Sequence, residues 1–234
     1  MKKIIFFSII FFTIYGPLQA QESKTIRVKS GNDPVRVIPM SDKYRFARFT
    51  DGKIYYVNSV SAGKLNYSIL LGEIHFIGPK QDTLSLANEQ LIKKVSIGES
   101  NFYYAKEKGY VEEIADFNNI KLGISQIIHM VNSEKEGAYD QSTGVASIRS
   151  YKSLATGNSS LQRLQLKGDI LLAKRVNYFL IDQNSRIHIA SKANFLKVYA
   201  KHKKMIATYI KQEMIDFKSE KDLRKLLSFC NQLS

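Results

Sequence analysis

Between residues 54 and 86, apolar and polar side chains alternate in short runs that are cut by glycine, asparagine and proline. Residues 54–57 open a strand, and residues 58–63 supply a polar turn. Leu65, Tyr67 and Ile69 then face one way and Asn66 and Ser68 the other, the period of a half-buried strand. Gly72 turns the chain, and Ile74 and Phe76 resume the alternation against Glu73 and His75. Gly78 and Pro79 break it again before Leu84 and Leu86 alternate with Thr83 and Ser85. Four strands in about forty residues leave no room for crossover helices, so the sheet is expected to be an antiparallel meander.

The same patterning continues through Val95 and Ile97, Phe102 and Tyr104, and Tyr110, Val111 and Ile114. Asn118 and Asn119 form a tight turn into Ile120 and Leu122. Isoleucine and valine dominate residues 124–131, and no helix cap precedes them, so this run also reads as a strand. Residues 133–160 are rich in serine, glycine, threonine and alanine and read as a long loop. Strand patterning returns at Leu164 and Leu166, at Ile170 and Leu172, and in a hairpin over residues 176–190 turning at 182–185. Sequence leaves open whether residues 161–190 join the first sheet.

Beyond residue 191 the period changes. Phe195, Val198, Tyr199, His202, Met205, Ile206, Tyr209 and Ile210 fall on one face of a helix. Ser219 with Asp222 makes a capping-box-like start to a second helix lined by Leu223, Leu226, Leu227 and Cys230. These two apolar stripes need a partner surface, and the sheet is the nearest one. The fold class read from the chain is therefore α+β, a mainly antiparallel meander or sandwich-like domain over residues 41–132 with extra strands at 161–190 and a basic helical C-terminus at 191–234.

The N-terminus reads as an export signal. Lys2 and Lys3 precede an apolar run over residues 4–15, Pro17 ends it, and Ala20 offers a small residue for cleavage. That run is shorter than the ~20 residues of a membrane span. Residues 1–20 are thus expected to be a signal peptide, and residues 21–40 a mobile leader able to add one edge strand. No cysteine stands at the cleavage position to carry an acyl anchor. The single cysteine, Cys230, cannot form an internal disulfide and sits in an apolar stripe as a small hydrophobe.

The full chain carries a formal charge of +14. Ten basic against four acidic side chains fall within residues 192–234. Such a surplus favours anionic surfaces, and export makes nucleic acid the least expected of them. Lys201, Lys203 and Lys204 are the candidate contacts to an anionic membrane surface.

Catalytic and metal-binding signatures are sparse. His75, His129, His188 and His202 are isolated in sequence, with no HxH, HExxH or HxxxH spacing. Gly144 and Gly157 do not frame a serine in a nucleophile elbow, and there is no P-loop or dinucleotide fingerprint. Adjacent Glu112 and Glu113 should face opposite sides of a strand and so cannot pair by themselves. No metal or cofactor is expected on these grounds. Among thirteen tyrosines, Tyr103 is the ligand candidate, because Phe102 and Tyr104 would share the opposite face.

The meander and the C-terminus resemble a group of exported proteins of unknown function found in Bacteroidota. The similar residues are Phe49, Gly52, Ile54, Tyr55, Leu65-Asn66-Tyr67, Glu73, Phe76, Ile77 and Asp82-Thr83-Leu84. Phe102-Tyr103-Tyr104, Gly109-Tyr110, Lys121-Leu122 and Gly137-Ala138-Tyr139 follow. Lys201, Lys203, Ile206, Tyr209, Ile215-Asp216-Phe217, Asp222-Leu223 and Leu226 complete the set. The resemblance implies an exported envelope protein and carries no catalytic motif. Asp82-Thr83-Leu84 also looks like the short acceptor pattern for O-glycosylation in these bacteria.

The expected function is that of a non-enzymatic envelope module binding an envelope protein or glycan, in the periplasm, at the outer-membrane periphery or outside the cell. Two other classes stay open. One is a hydrolase of envelope glycan or peptide, built from His75 or His188 with a loop serine or a carboxylate. The other is a peripheral membrane protein held by its basic helix.

Overall fold

A computed structural model describes residues 25–133 and 169–233 of the chain. The expected signal peptide, Leu164 and Leu166, and almost all of the expected loop at 133–160 lie outside the described residues. The architecture is α+β: an antiparallel sheet with helices gathered at the C-terminus.

Eleven strands form one sheet. They are β1 (Thr25–Val28), β2 (Thr50–Tyr56), β3 (Val60–Ser68), β4 (Glu73–Ile77), β5 (Thr83–Ser85) and β6 (Ile92–Ile97). The others are β7 (Ser100–Ala105), β8 (Gly109–Phe117), β9 (Ile120–Ser133), β10 (Ile170–Asp182) and β11 (Ile187–Ile189). Their order is β1-β10-β9-β8-β7-β6-β2-β3-β4-β5, with β11 added to β10. The meander is therefore not continuous. After β5 the chain returns through a short 3-10 turn at Glu89–Leu91, and β6 pairs with β2 instead of β5.

Residues 170–190 join the first sheet. The separate strands expected at 170–172 and 176–181 are one long strand, β10, paired with β9 from Ile170↔Ser133 to Asp182↔Ile120 with one register shift between Leu171 and Leu172. The segment read as a leader is structured from residue 25 onward. Its strand β1 pairs with β10, and two one-turn helices follow, α1 (Pro34–Val37) and α2 (Met40–Lys43). Asp33 caps α1 by accepting the Val35 N–H, and Pro34 occupies the first helical position, where a missing N–H is harmless. The turn expected at 58–63 is shorter, because β3 already begins at Val60.

The sheet rolls over on itself. The Ile69 carbonyl, just past β3, accepts the Ile128 N–H of β9 at 2.8 Å, although β8, β7, β6 and β2 lie between those strands in the sheet order. Tyr67 Oη donates across the same gap to the Gln126 carbonyl at 3.0 Å. Inside the roll, Leu65, Ile74, Val95, Ile97, Phe102 and Tyr110 pack with Ile170 and Leu172 from β10.

Rolling also covers the face that alternation left polar. Asn66, Ser68 and His75, expected to point to solvent, are all buried. Residues 44–46 run beside the end of β3, with Tyr44 bridged to Ser68 and the Arg45 N–H donating to the Tyr67 carbonyl at 2.9 Å.

Three α-helices close the chain where two were expected: α3 (Lys192–Val198), α4 (Lys203–Gln212) and α5 (Glu220–Gln232). A 3-10 turn at Ala200–His202 divides the first expected helix. The apolar stripe survives the break, except that Met205 is exposed. Phe195, Tyr199, Ile206, Ile210, Leu223, Leu226 and Leu227 pack on Ile120, Leu122 and Leu180 of the sheet. Ser219 caps α5 by accepting the Asp222 N–H at 3.3 Å, while Asp222 turns to the Asp216 N–H at 3.0 Å.

Candidate functional site

The sequence-derived ligand candidate, Tyr103, does face away from Phe102 and Tyr104, but onto a second layer. It is 8% exposed and packs with Val111, Phe179, Ile181 and Ile187. Its hydroxyl donates to Glu113 at 3.1 Å, and Lys121 Nζ donates to the same carboxylate at 2.8 Å. Burial, then the Glu113 charge, raises the Tyr103 pKa. Tyr103 is thus committed to packing and an ion-pair network, with no open ring face for a ligand. Glu112, on the opposite face as expected, is buried and receives two hydrogen bonds from Arg45 and one from Ser100.

Among the described residues no histidine is hydrogen-bonded to a serine hydroxyl, and the serines of the expected loop lie outside the described residues. His75 Nδ1 faces Tyr44 Oη at 2.9 Å, and its Nε2 stands 3.6 Å from Glu73. Ser85 Oγ donates to that same glutamate at 2.8 Å, so the carboxylate separates the hydroxyl from the imidazole. His188 lies 3.4 Å from Asp182, whose pKa is lowered: burial opposes this, and the Arg186 N–H and His188 outweigh it. Among the described residues no three His, Cys, Asp or Glu side chains converge as metal ligands.

Lys201, Lys203 and Lys204 are exposed at the 3-10 turn and the start of α4. Ile206 and Ile210 of that helix are already buried on the sheet. An anionic surface would meet these lysines by charge alone. Among the described residues no helix is long and apolar enough to cross a membrane. Thr83 is exposed on β5, at the end of the sheet order.

A concave site lies elsewhere. A cavity of about 640 Å³ opens among four segments: the β3–β4 turn, the β5 end with its return connection, the β7–β8 hairpin, and β9. Leu70, Leu71, Leu86, Ile127 and Ile128 supply apolar walls, and Tyr67, Tyr104 and Tyr110 supply rings. Glu73 and Glu89 bring two carboxylates to it. Its volume sits within the ~300–1,000 Å³ range of small-molecule sites.

The electrostatics of this cavity are unbalanced. Burial raises the Glu89 pKa, hydrogen bonding to Tyr104 opposes that, the Glu73 charge raises it further, and Tyr110 again opposes it. The net direction is upward, because removal from water penalises the charge more than two phenols compensate. Tyr110 is 1% exposed, and its hydroxyl has no hydrogen bond of acceptable geometry among the described residues. Burial, then Glu89, raises its pKa in turn.

Sequence reasoning passed over this site because its acids are remote from each other and from the rings. Glu89 sits in the aperiodic stretch 87–90, and Glu73 is an ordinary polar position in β4. The return connection from β5 brings Glu89 to Tyr104 and Tyr110, and Glu73 reaches the same cavity from the start of β4. Compared with family models, with curated proteins and with solved structures, the chain matches none of them.

Proposed function

We propose that this chain is an exported, non-enzymatic envelope protein that binds a small ligand in the cavity between the β3–β4 turn and the β7–β8 hairpin. The observation that carries the reading is the cavity itself: apolar walls with a few convergent polar groups, Glu73, Glu89 and Tyr110, at a corner of the rolled sheet. Export is supported by the charged, apolar and small-residue segments of residues 1–20. The ligand reading is tested by ligand-observed NMR with a fragment library on the wild-type protein and on Ala87→Trp, which places bulk at an exposed wall of the cavity. Binding to wild type and its loss in the variant supports the reading. Fragments that bind both proteins equally, or neither, overturn it.

A second reading draws on the two carboxylates. Glycoside hydrolysis uses one acid held protonated beside one ionised partner, and Glu89 has the raised pKa that such an acid needs. Release of reducing ends from purified envelope glycan by wild type, abolished in Glu89→Gln, would place the chain in the hydrolase class.

A further inference from the structure

The hairpin joining β2 to β3 carries an apolar tip that stands open to water. Its turn is closed by the Tyr56 N–H, which donates to the Ser59 carbonyl at 2.9 Å. Val57, inside the turn, donates its N–H to the Leu91 carbonyl at 3.2 Å, which sets these two residues side by side. Val57, Val60 and Leu91 are 52%, 57% and 51% exposed. Exposed aliphatic residues are ordinary when scattered singly, whereas a cluster of them marks an interaction surface. The tip also projects. Among the described residues β4 pairs with β3 only from Leu65 onward, so residues 60–64 stand beyond it, exposed or half-exposed.

Cations frame this tip. Val60 pairs with Tyr55, and Tyr55 with Lys94, so the three side chains form one row across the outer face of the sheet. Ile54 and Tyr56 point the other way, onto the core. Lys94 Nζ lies 4.9 Å from the centre of the Tyr55 ring. Lys93 falls at the register shift between β2 and β6, and its ammonium donates to the Val57 carbonyl at 3.4 Å. Residues 53–64 and 90–98 contain no aspartate or glutamate, and Asp51, further down β2, is held by Lys64 at 2.8 Å.

We propose that this hairpin tip docks on an anionic phospholipid bilayer, with Val57, Val60 and Leu91 entering the interface and Lys93 and Lys94 meeting the lipid phosphates. Tyr55, apolar in its ring and polar at its hydroxyl, suits headgroup depth. An aliphatic tip on a projecting turn enters a fluid interface without needing a matching pocket. The unpaired backbone groups of the turn hold it there, short of the hydrocarbon. Lys201, Lys203 and Lys204 form a different surface, on a helix whose Ile206 and Ile210 are already buried. A ligand in the cavity is not required for docking at the tip.

The test is co-sedimentation of the protein, purified as its host processes it, with vesicles of phosphatidylcholine alone or mixed equally with phosphatidylglycerol, at low and high salt. Three sets of substitutions are compared with wild type: Val57→Ser with Val60→Ser and Leu91→Ser, Lys93→Gln with Lys94→Gln, and Lys201→Gln with Lys203→Gln and Lys204→Gln. Each is checked for folding by circular dichroism and thermal melting. Wild type is expected to bind the mixed vesicles, and about tenfold less tightly at high salt or without the anionic lipid. The apolar set should lose about tenfold, the Lys93 and Lys94 pair about tenfold or more, and the helix set less than about twofold. The chain contains no tryptophan, so Val60→Trp supplies a single reporter in an otherwise unaltered protein. Its emission should shift to the blue on mixed vesicles and be quenched by brominated lipid. Wild type that stays in solution overturns the proposal, as does an apolar set that binds as well as wild type. Loss confined to the helix set, or a reporter that brominated lipid leaves unquenched, overturns it too. So does a dimer in sedimentation velocity that the apolar set abolishes without any vesicle binding by wild type, since the tip then seats a second copy of the chain.

Discussion

The side-chain amide of Asn66 takes the place of a strand for Phe46. Its Oδ1 accepts the Phe46 N–H at 3.2 Å, and its Nδ2 donates to the Phe46 carbonyl at 2.9 Å. One fully buried side chain thereby satisfies both backbone groups of a residue beyond the end of the regular ladder. Asn66→Ala leaves both groups without that partner. A loss of about 2–4 kcal/mol in urea unfolding is expected, and Asn66→Asp should also be poorly tolerated because it removes the donor and adds a buried charge.

Arg45 and Glu112 give a second test. Arg45 Nε and Nη2 reach the two carboxylate oxygens at 2.9 and 3.2 Å, and Glu112 is buried. Removing the guanidinium strands a charge inside the protein. Arg45→Ala is expected to cost about 3 kcal/mol, and Arg45→Met combined with Glu112→Leu distinctly less. A double variant as unstable as the sum of its singles would refute this.

Gly123 stands where β9 crosses close to β8. A Cβ there would collide with Val111 Cγ1 and lie 3.1 Å from Ile181 Cδ1. Gly123→Ala should destabilise by about 1–3 kcal/mol. Val111→Ala makes room, so the pair should be more stable than additivity allows, which a double-mutant cycle reads directly.

Glu89 should make stability depend on pH. Its folded pKa is raised above the ordinary 4.5, so the folded state holds that proton more tightly. The associated stability is full below 4.5 and is lost as pH rises through the higher folded value. Glu89→Gln is therefore expected to melt roughly 2 °C higher than wild type at neutral pH, with the difference vanishing on acidification below 4.5. Glu73, Tyr104 and Tyr110 face the same group, so the comparison is made against Glu73→Gln as well. A constant difference across the pH range would exclude the Glu89 titration.

Cys230 should be chemically silent. It is fully buried on the inner face of α5, and burial pushes its thiol up to about 12, where almost no thiolate exists at neutral pH. Iodoacetamide should leave the folded protein unmodified and label it once in concentrated guanidinium chloride. Rapid labelling of the native protein would contradict the packing of the helical layer.

The antiparallel strands were legible because Leu65, Tyr67 and Ile69 keep a period of two. That period reports only one face, and it misplaced Asn66, Ser68 and His75, which the roll of the sheet covers from the other side. Polarity could not reveal this, since Asn66 is polar for the sake of Phe46 and not of water. The return of the chain from β5 to β6 left no mark either, because the pairing Ile54↔Val95 is decided far outside any local window. The break before α4 was hidden for another reason: a single 3-10 turn leaves Tyr199 and Ile206 both facing the sheet. For the site, the alternation at residues 102–104 correctly set Tyr103 apart, yet nothing local told that Phe179 and Ile187 would close over it.

Strand β10 supplies residues to all three apolar clusters: Ile170 and Leu172 to the rolled core, Leu180 to the helical layer, and Phe179 and Ile181 to the packing around Tyr103. It also carries β1, from the opposite end of the described chain. In kinetic terms this strand is a late arrival with high contact order, since its pairing with β1 closes one of the longest loops in the molecule. Until it docks, none of the three clusters is complete and the hairpin β8–β9 presents an open edge. The rate-limiting event in folding should therefore be the capture of one strand, and β10 is where a slow or aggregation-prone step would originate.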